Sequence, residues 1–183
     1  ITTIKNSKKP IIISGRGALN SGQQILKFIN KFNIPYIDTQ DSRGLIPQTN
    51  SNNIFSARSK AMSETDLVIL LGRKLDYQLA FGSPAVFKEA KFIRISETPS
   101  ELTDNRRGSP EILANPGVAI EQIHNKLTNT EFDTSWINNL KKFHSEKIKK
   151  VSLKKVKKLG DDNKINPNLI FEVIKNVQDD DFV

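Results

Sequence analysis

Short apolar runs punctuate the first hundred residues: Pro10–Ser14, Ile34–Asp38, Leu67–Leu71 and Lys91–Ile95. Each has the length of a strand and is flanked by polar or glycine-bearing residues, the pattern of parallel strands covered on both faces. Between the first two, Ile25, Phe28, Ile29 and Phe32 recur at helical spacing. That spacing predicts a helix capped by Asn20 or Ser21 and stopped by Asn33 and Pro35. Thr39–Pro47 reads as a loop, Ala57–Ser63 as a short helix and Ala85–Glu89 as one helical turn. Glu111–Ala114 reads as a short fifth strand, and Gly117–Leu127 as a helix turning Val118, Ile120, Ile123 and Leu127 toward the sheet. Strand and helix alternate with short connections, which predicts an α/β fold. Its expected form is a Rossmann-like, doubly wound parallel sheet of about six strands with right-handed crossovers.

The pattern changes near Asn129. From Phe132 to Leu159, Trp136, Leu140, Phe143, Ile148, Val151 and Val156 are spread among lysines, as in an amphipathic helix that packs on something. Gly160–Asn163 is a turn cluster. Pro167 suits the first position of a last helix carrying Leu169, Ile170, Val173 and Val177. The expected division is therefore an α/β domain over 1–128, a helical linker over 129–164 and the start of a further domain over 165–183. The chain begins at Ile1 and ends with Asp179-Asp-Asp-Phe-Val183, the approach to a strand, so it is expected to be a piece of a longer protein.

Composition removes several chemistries. With no cysteine, disulfides, zinc–thiolate sites and thiol catalysis are excluded, and a cytoplasmic location is expected. No apolar run reaches the ~18 residues of a membrane span, so no membrane partner is expected. The net charge of +8 raises the alternative of a basic nucleic-acid-binding module. Much of that excess lies between Lys141 and Lys158, where a solvated helix face explains it, and no nucleic-acid partner is expected. His124 and His144 lack partners at metal-ligand spacing, and no nucleophile or general base stands out.

The remaining chemistry sits where strands end. Gly15-Arg16-Gly17 follows the first strand and opens a helix. With Gly22 it spells G-x-G-x-x-x-x-G rather than the dinucleotide fingerprint, because position 20 is Asn. Asp38 ends the next strand, where that fingerprint places a ribose-binding carboxylate, so an NAD-binding oxidoreductase domain stands as an alternative. The third run stops at Gly72 and turns polar through Arg73, Lys74 and Asp76. A glycine there lets a phosphate approach the backbone, and Arg73 or Lys74 offers it a positive charge. Asn105-Arg-Arg-Gly108 is either a further anion contact or a solvated turn.

Five segments, in order, resemble the central domain of thiamine diphosphate-dependent enzymes of the acetolactate synthase group, over roughly Lys9 to Leu127. They are Lys9–Gly17, Asn33–Thr39, Arg43–Pro47, Thr65–Gly72 and Ala90–Ile95 with Glu101-Leu102 beyond. Relatives in that group include benzaldehyde lyase, oxalyl-CoA decarboxylase and 2-hydroxyacyl-CoA lyase. The resemblance implies a parent that joins or cleaves 2-keto or 2-hydroxy acids; the oxalyl-CoA decarboxylase or 2-hydroxyacyl-CoA lyase type is an alternative. It implies thiamine diphosphate and magnesium held by N- and C-terminal domains outside this chain, with no catalytic or metal-binding residue here. Residues 165–183 would open the diphosphate-binding domain. It also implies a homodimer or homotetramer. In this family the central domain holds FAD in acetolactate synthases, ADP or a CoA nucleotide in the oxalyl-CoA branch, and nothing in several others. The resemblance puts the cofactor-binding positions at Gly15, Arg16, Gly17, Thr39, Gly72, Lys74, Asp76, Ser96 and Asn115. Ser96 and Asn115 stand where the family has carboxylates, and Lys74 where it has arginine. Neutral groups and a lysine replace stronger acceptors and a planar fork, which predicts weak binding of FAD or ADP.

Overall fold

The computed structural model describes residues 1–127, 130–152 and 164–177. Five strands form one parallel sheet: β1 (Pro10–Ser14), β2 (Tyr36–Asp38), β3 (Leu67–Leu71), β4 (Lys91–Ser96) and β5 (Glu111–Leu113), in the order β2-β1-β3-β4-β5. Ile12, Ile69 and Ile93 lie side by side across its centre. The count falls one short of about six. Beyond β2, Asn53 makes a single parallel bridge to Tyr36, and the Ile54 amide donates to the Tyr36 carbonyl at 3.0 Å. A sixth strand is thus reduced to one bridge. β2 starts two residues later than the apolar run because Pro35 has no amide hydrogen to give; only its carbonyl is used, accepting from the Ile12 amide at 2.9 Å.

The sheet is buried on both faces, as continuous apolar strands require. On one face Ile12, Ile69 and Ile93 pack against α2 (Gly22–Phe32) and α6 (Pro116–Lys126) through Ile25, Phe28, Ile29 and Ile120. On the other, Ile11, Ile13, Val68 and Leu70 meet α3 (Arg58–Glu64) and α4 (Pro84–Phe87). That second face also receives Trp136 and Leu140, from the first turns of α7 (Ser135–Ser152), and the Trp136 indole N–H donates to the Pro10 carbonyl at 3.2 Å. Two further short helices, α1 (Thr2–Lys5) and α5 (Pro99–Thr103), are too brief to leave a periodic signature in sequence.

The chain divides into a compact unit over Ile1–Lys147 and a second over Ile148–Val183. In the second, α8 (Pro167–Val177) begins at the expected proline, with Ile170, Val173 and Val177 exposed. The turn cluster Gly160–Asn163, Lys154 to Lys158 of the basic run and the terminal Asp179–Val183 lie outside the described residues. No helix among the described residues is long and apolar enough to cross a membrane.

Candidate functional site

From β1 the chain turns one way to β2, then back past β1 to β3, so the winding reverses between β1 and β3. The crevice at the carboxyl ends of such strands is where open α/β sheets place ligands. Gly15, Gly17 and Gly72 converge there. The Gly15 amide donates to the Leu71 carbonyl at 2.9 Å, and the Gly17 amide to the Gly72 carbonyl at 3.0 Å. Gly72 has φ +53°, and a Cβ on it would lie 2.4 Å from the Gly17 carbonyl carbon. The two backbones touch, which excludes any side chain at that contact.

Of the other expected positions, Thr39, Asp76, Ser96 and Asn115 already have protein partners. Arg73 is buried; its Nη2 donates to the Asp76 carboxylate at 2.7 Å and to Gln78 Oε1 at 3.0 Å, while its Nε has no partner among the described residues. Thr39 is buried, and its hydroxyl donates to the Ser14 carbonyl at 2.7 Å. It belongs to a network in which the Tyr36 and Ser14 hydroxyls lie 2.6 Å apart. Burial pushes the Tyr36 phenol up to about 12. Ser96 donates to Glu101 Oε2 at 2.8 Å. Asn115 caps α6, its Oδ1 accepting from the Gly117 and Val118 amides, and its Nδ2 reaches Glu97 at 3.2 Å. Arg16 and Lys74 are exposed. On β4, buried Arg94 donates to the carbonyls of Glu101, Asp104 and Arg106 and to the Asp104 carboxylate, pinning the loop before β5.

A second opening lies beside the crevice, on the side of β2. Gln40 and Arg43 follow β2, Gln78 follows β3, and Arg58 opens α3; together they line a cavity of about 520 Å³. Gln78 Nε2 donates to Gln40 Oε1 at 2.8 Å, joining the loops after the two strands that flank β1. Beneath them Asp38 is 2% exposed and pairs with Arg43 Nε at 3.1 Å. Burial raises the Asp38 carboxyl above its ordinary range, against the pull of Arg43 and Arg58. Arg58 donates to the Gln78 carbonyl at 2.6 Å and makes no ion pair among the described residues. Its guanidinium is pushed down by burial, then by the charge of Arg73. Sequence reasoning singled out Asp38 but missed Gln40, Arg58 and Gln78 as a group. No motif links them, because three separate loops supply them.

The doubly wound sheet, with Gly17 and Gly72 in contact at its switch point, defines a Rossmann-like α/β domain. A family model described as "Thiamine pyrophosphate enzyme, central domain" matches residues 1–123, and the chain belongs to that family. It is 31% identical over 183 residues to 2-hydroxyacyl-CoA lyase of Saccharomyces cerevisiae, covering 95% of this chain and 32% of the relative. Human 2-hydroxyacyl-CoA lyase 1 is 26% identical over 147 residues, 76% of this chain and 25% of the relative. Oxalyl-CoA decarboxylase of Escherichia coli K12 is 26% identical over 136 residues, 73% of this chain and 24% of the relative. The chain therefore spans about a quarter to a third of the length of these relatives.

Proposed function

We propose that this chain is the central domain of a thiamine diphosphate-dependent enzyme that cleaves or decarboxylates CoA thioesters, rather than one that forms acetolactate. The observation that carries this reading is the likeness to three relatives whose names specify CoA thioesters as substrates. The cationic notch at Arg43 and Arg58 agrees with it, since a CoA thioester carries phosphates. In this reading the domain binds and orients, and turnover belongs to N- and C-terminal thiamine-binding domains that hold the cofactor and magnesium in a homodimer or homotetramer. Residues 129–164 serve as linker and 165–183 open the diphosphate-binding domain. The cytoplasm is the proposed location.

The test is an assay of the full-length protein with thiamine diphosphate and magnesium, offered a 2-hydroxyacyl-CoA, oxalyl-CoA or pyruvate. Cofactor-dependent consumption of a CoA thioester is expected. Acetolactate formation from pyruvate with no thioester turnover would overturn the reading, and hydride transfer to NAD would favour the oxidoreductase alternative.

The nine positions Gly15, Arg16, Gly17, Thr39, Gly72, Lys74, Asp76, Ser96 and Asn115 are retained as a proposed, weakened nucleotide crevice. Ser96 and Asn115 already bond to Glu101 and Glu97, so an incoming ribose or adenine competes with those contacts. Calorimetric titration with FAD and ADP is expected to show weak binding; sub-micromolar FAD affinity would contradict this.

A further inference from the structure

We infer that Arg106 is a positioning residue: with Asp104 and Asn105 it forms a strap that holds residues 75–90 in a strained shape and so presets a wall shared by both openings. All three side chains of the strap bond to the backbone of that segment. Asp104 Oδ2 accepts from the Leu75 amide at 3.0 Å, and Asn105 Nδ2 donates to the Leu75 carbonyl at 2.6 Å. The Arg106 guanidinium donates to the Ala90 carbonyl at 2.7 Å and to the Gly82 and Lys88 carbonyls at 3.2 Å, and lies 5.1 Å from the centre of the Phe92 ring. One side chain thus ties the middle of the segment to its end. A planar fork of donors suits that task, whereas a single ammonium does not. Arg94 anchors the strap in turn, through the carbonyl and carboxylate of Asp104.

The segment needs a strap because its own sequence does not select its shape. Ala80, Phe81 and Lys88 have φ of +48°, +53° and +45°, a region that residues bearing a Cβ rarely enter. Such strain persists only where surrounding contacts over-determine it, and it gathers at ligand sites. The packing against the strap is close: a Cβ on Gly82 would lie 2.9 Å from Arg106 Cβ and from Leu75 Cδ1. Leu79 and Phe87 anchor the segment in the core, but Tyr77 is 73% exposed and Phe81 54% exposed. The left-handed turn at Ala80 and Phe81 therefore adds no aromatic ring to the core. What it fixes is the wall. Asp76 pairs with Arg73 beside the glycine crevice, while Gln78 lines the notch and bonds to Gln40. A ligand entering either opening meets a wall already ordered, so its binding carries no ordering cost there. Loosening the strap transfers that cost to the binding step.

Hydrogen–deuterium exchange and steady-state kinetics on the full-length protein test the strap, and only the kinetic readout rests on the CoA-thioester reading. Arg106→Gln is expected to speed exchange of the amides in 77–90 about tenfold by local opening, with Ile11–Ser14 of β1 unchanged. It should raise KM for the thioester about tenfold and leave kcat within about twofold, the signature of lost uniform binding. Arg106→Lys keeps the charge without the fork and should behave much the same, which covers a failure of Arg106→Gln to fold. Arg107→Gln, at the neighbouring arginine paired with Glu111, should match the wild type in both readouts. Ala80→Gly relieves the strain at φ +48° and should restore part of the lost protection when added to Arg106→Gln. The strap is overturned if exchange in 77–90 does not change, if faster exchange spreads evenly over the sheet, or if Ala80→Gly restores nothing. It is equally overturned if 77–90 opens while KM stays at the wild-type value. A wild-type protein without thioester turnover removes the lyase reading, and exchange alone then judges the strap.

Discussion

Two openings sit side by side at the carboxyl ends of the strands, and they are built in opposite ways. The crevice between β1 and β3 is made of backbone: Gly17 and Gly72 touch, and Arg73, Asp76 and Ser96 beside them bond to protein partners. The notch on the β2 side is made of side chains, and Arg58 makes no ion pair among the described residues. Glycines at a switch point are commonly read as room for a phosphate. Here Gly17 and Gly72 also close a backbone-to-backbone contact. A glycine marks close approach, but it does not say whether the approaching atom belongs to a ligand or to the protein.

Substitutions can break this contrast. The largest effect is expected from Gly72→Ala, which combines a 2.4 Å clash with backbone at φ +53°. It should cost roughly 3 kcal/mol or more of stability, read as a lower midpoint in urea. An unchanged midpoint would show that the two loops separate easily and that the crevice is open to ligands. Arg94→Met comes next, at about 3 kcal/mol, because it leaves Asp104 and several carbonyls without their buried donor. Faster amide exchange confined to Glu101–Arg106 would localise that loss to the crevice wall. On the notch side, Gly44→Ala meets no atom within 4 Å but sits at φ +86°, so about 1 kcal/mol is expected. Arg58→Gln should cost below about 1 kcal/mol, since a side chain with one carbonyl contact contributes little to folding. A larger loss would make Arg58 structural.

The smallest effect concerns pH. His144 Nδ1 accepts from the Ser56 amide at 3.2 Å, and its ring lies 5.0 Å from Phe55. Burial lowers its folded pKa below the ordinary 6.5. Below that value the unfolded chain binds the extra proton more readily, so stability is retained above pH 6.5 and lost as pH falls through the folded value. His124, lowered by burial and then by Lys27 and Lys31, adds in the same direction. Denaturation midpoints at pH 7.5 and 5.5 should differ, and His144→Phe should shrink the gap. A gap of equal size in that variant would assign the dependence elsewhere.

Much of the fold was legible because burial is written locally. Ile11, Ile12 and Ile13 sit in a run that only a two-sided strand explains, and Ile25, Phe28, Ile29 and Phe32 mark one helical face. Pro167 and Asn33 marked helix ends for stereochemical reasons that need no tertiary partner. The sixth strand was less legible, since Asn52-Asn53-Ile54 forms one bridge and has no strand-like composition. Among site residues, Gly15, Gly17 and Gly72 were identified and do meet. Asn115 was singled out as a ligand position, and the capping geometry that occupies it depends on where α6 starts.

The amino-acid order alone determined the sheet, its glycine-bearing strand ends and the family resemblance, because periodicity and turn chemistry act over a few neighbouring residues. Only the tertiary structure decided that Gly17 meets Gly72 and that Arg43, Arg58 and Gln78 surround one opening. Those contacts follow from strand order: placing β1 between β2 and β3 sets side by side loops that are far apart along the chain, and no local pattern records which loops will become neighbours.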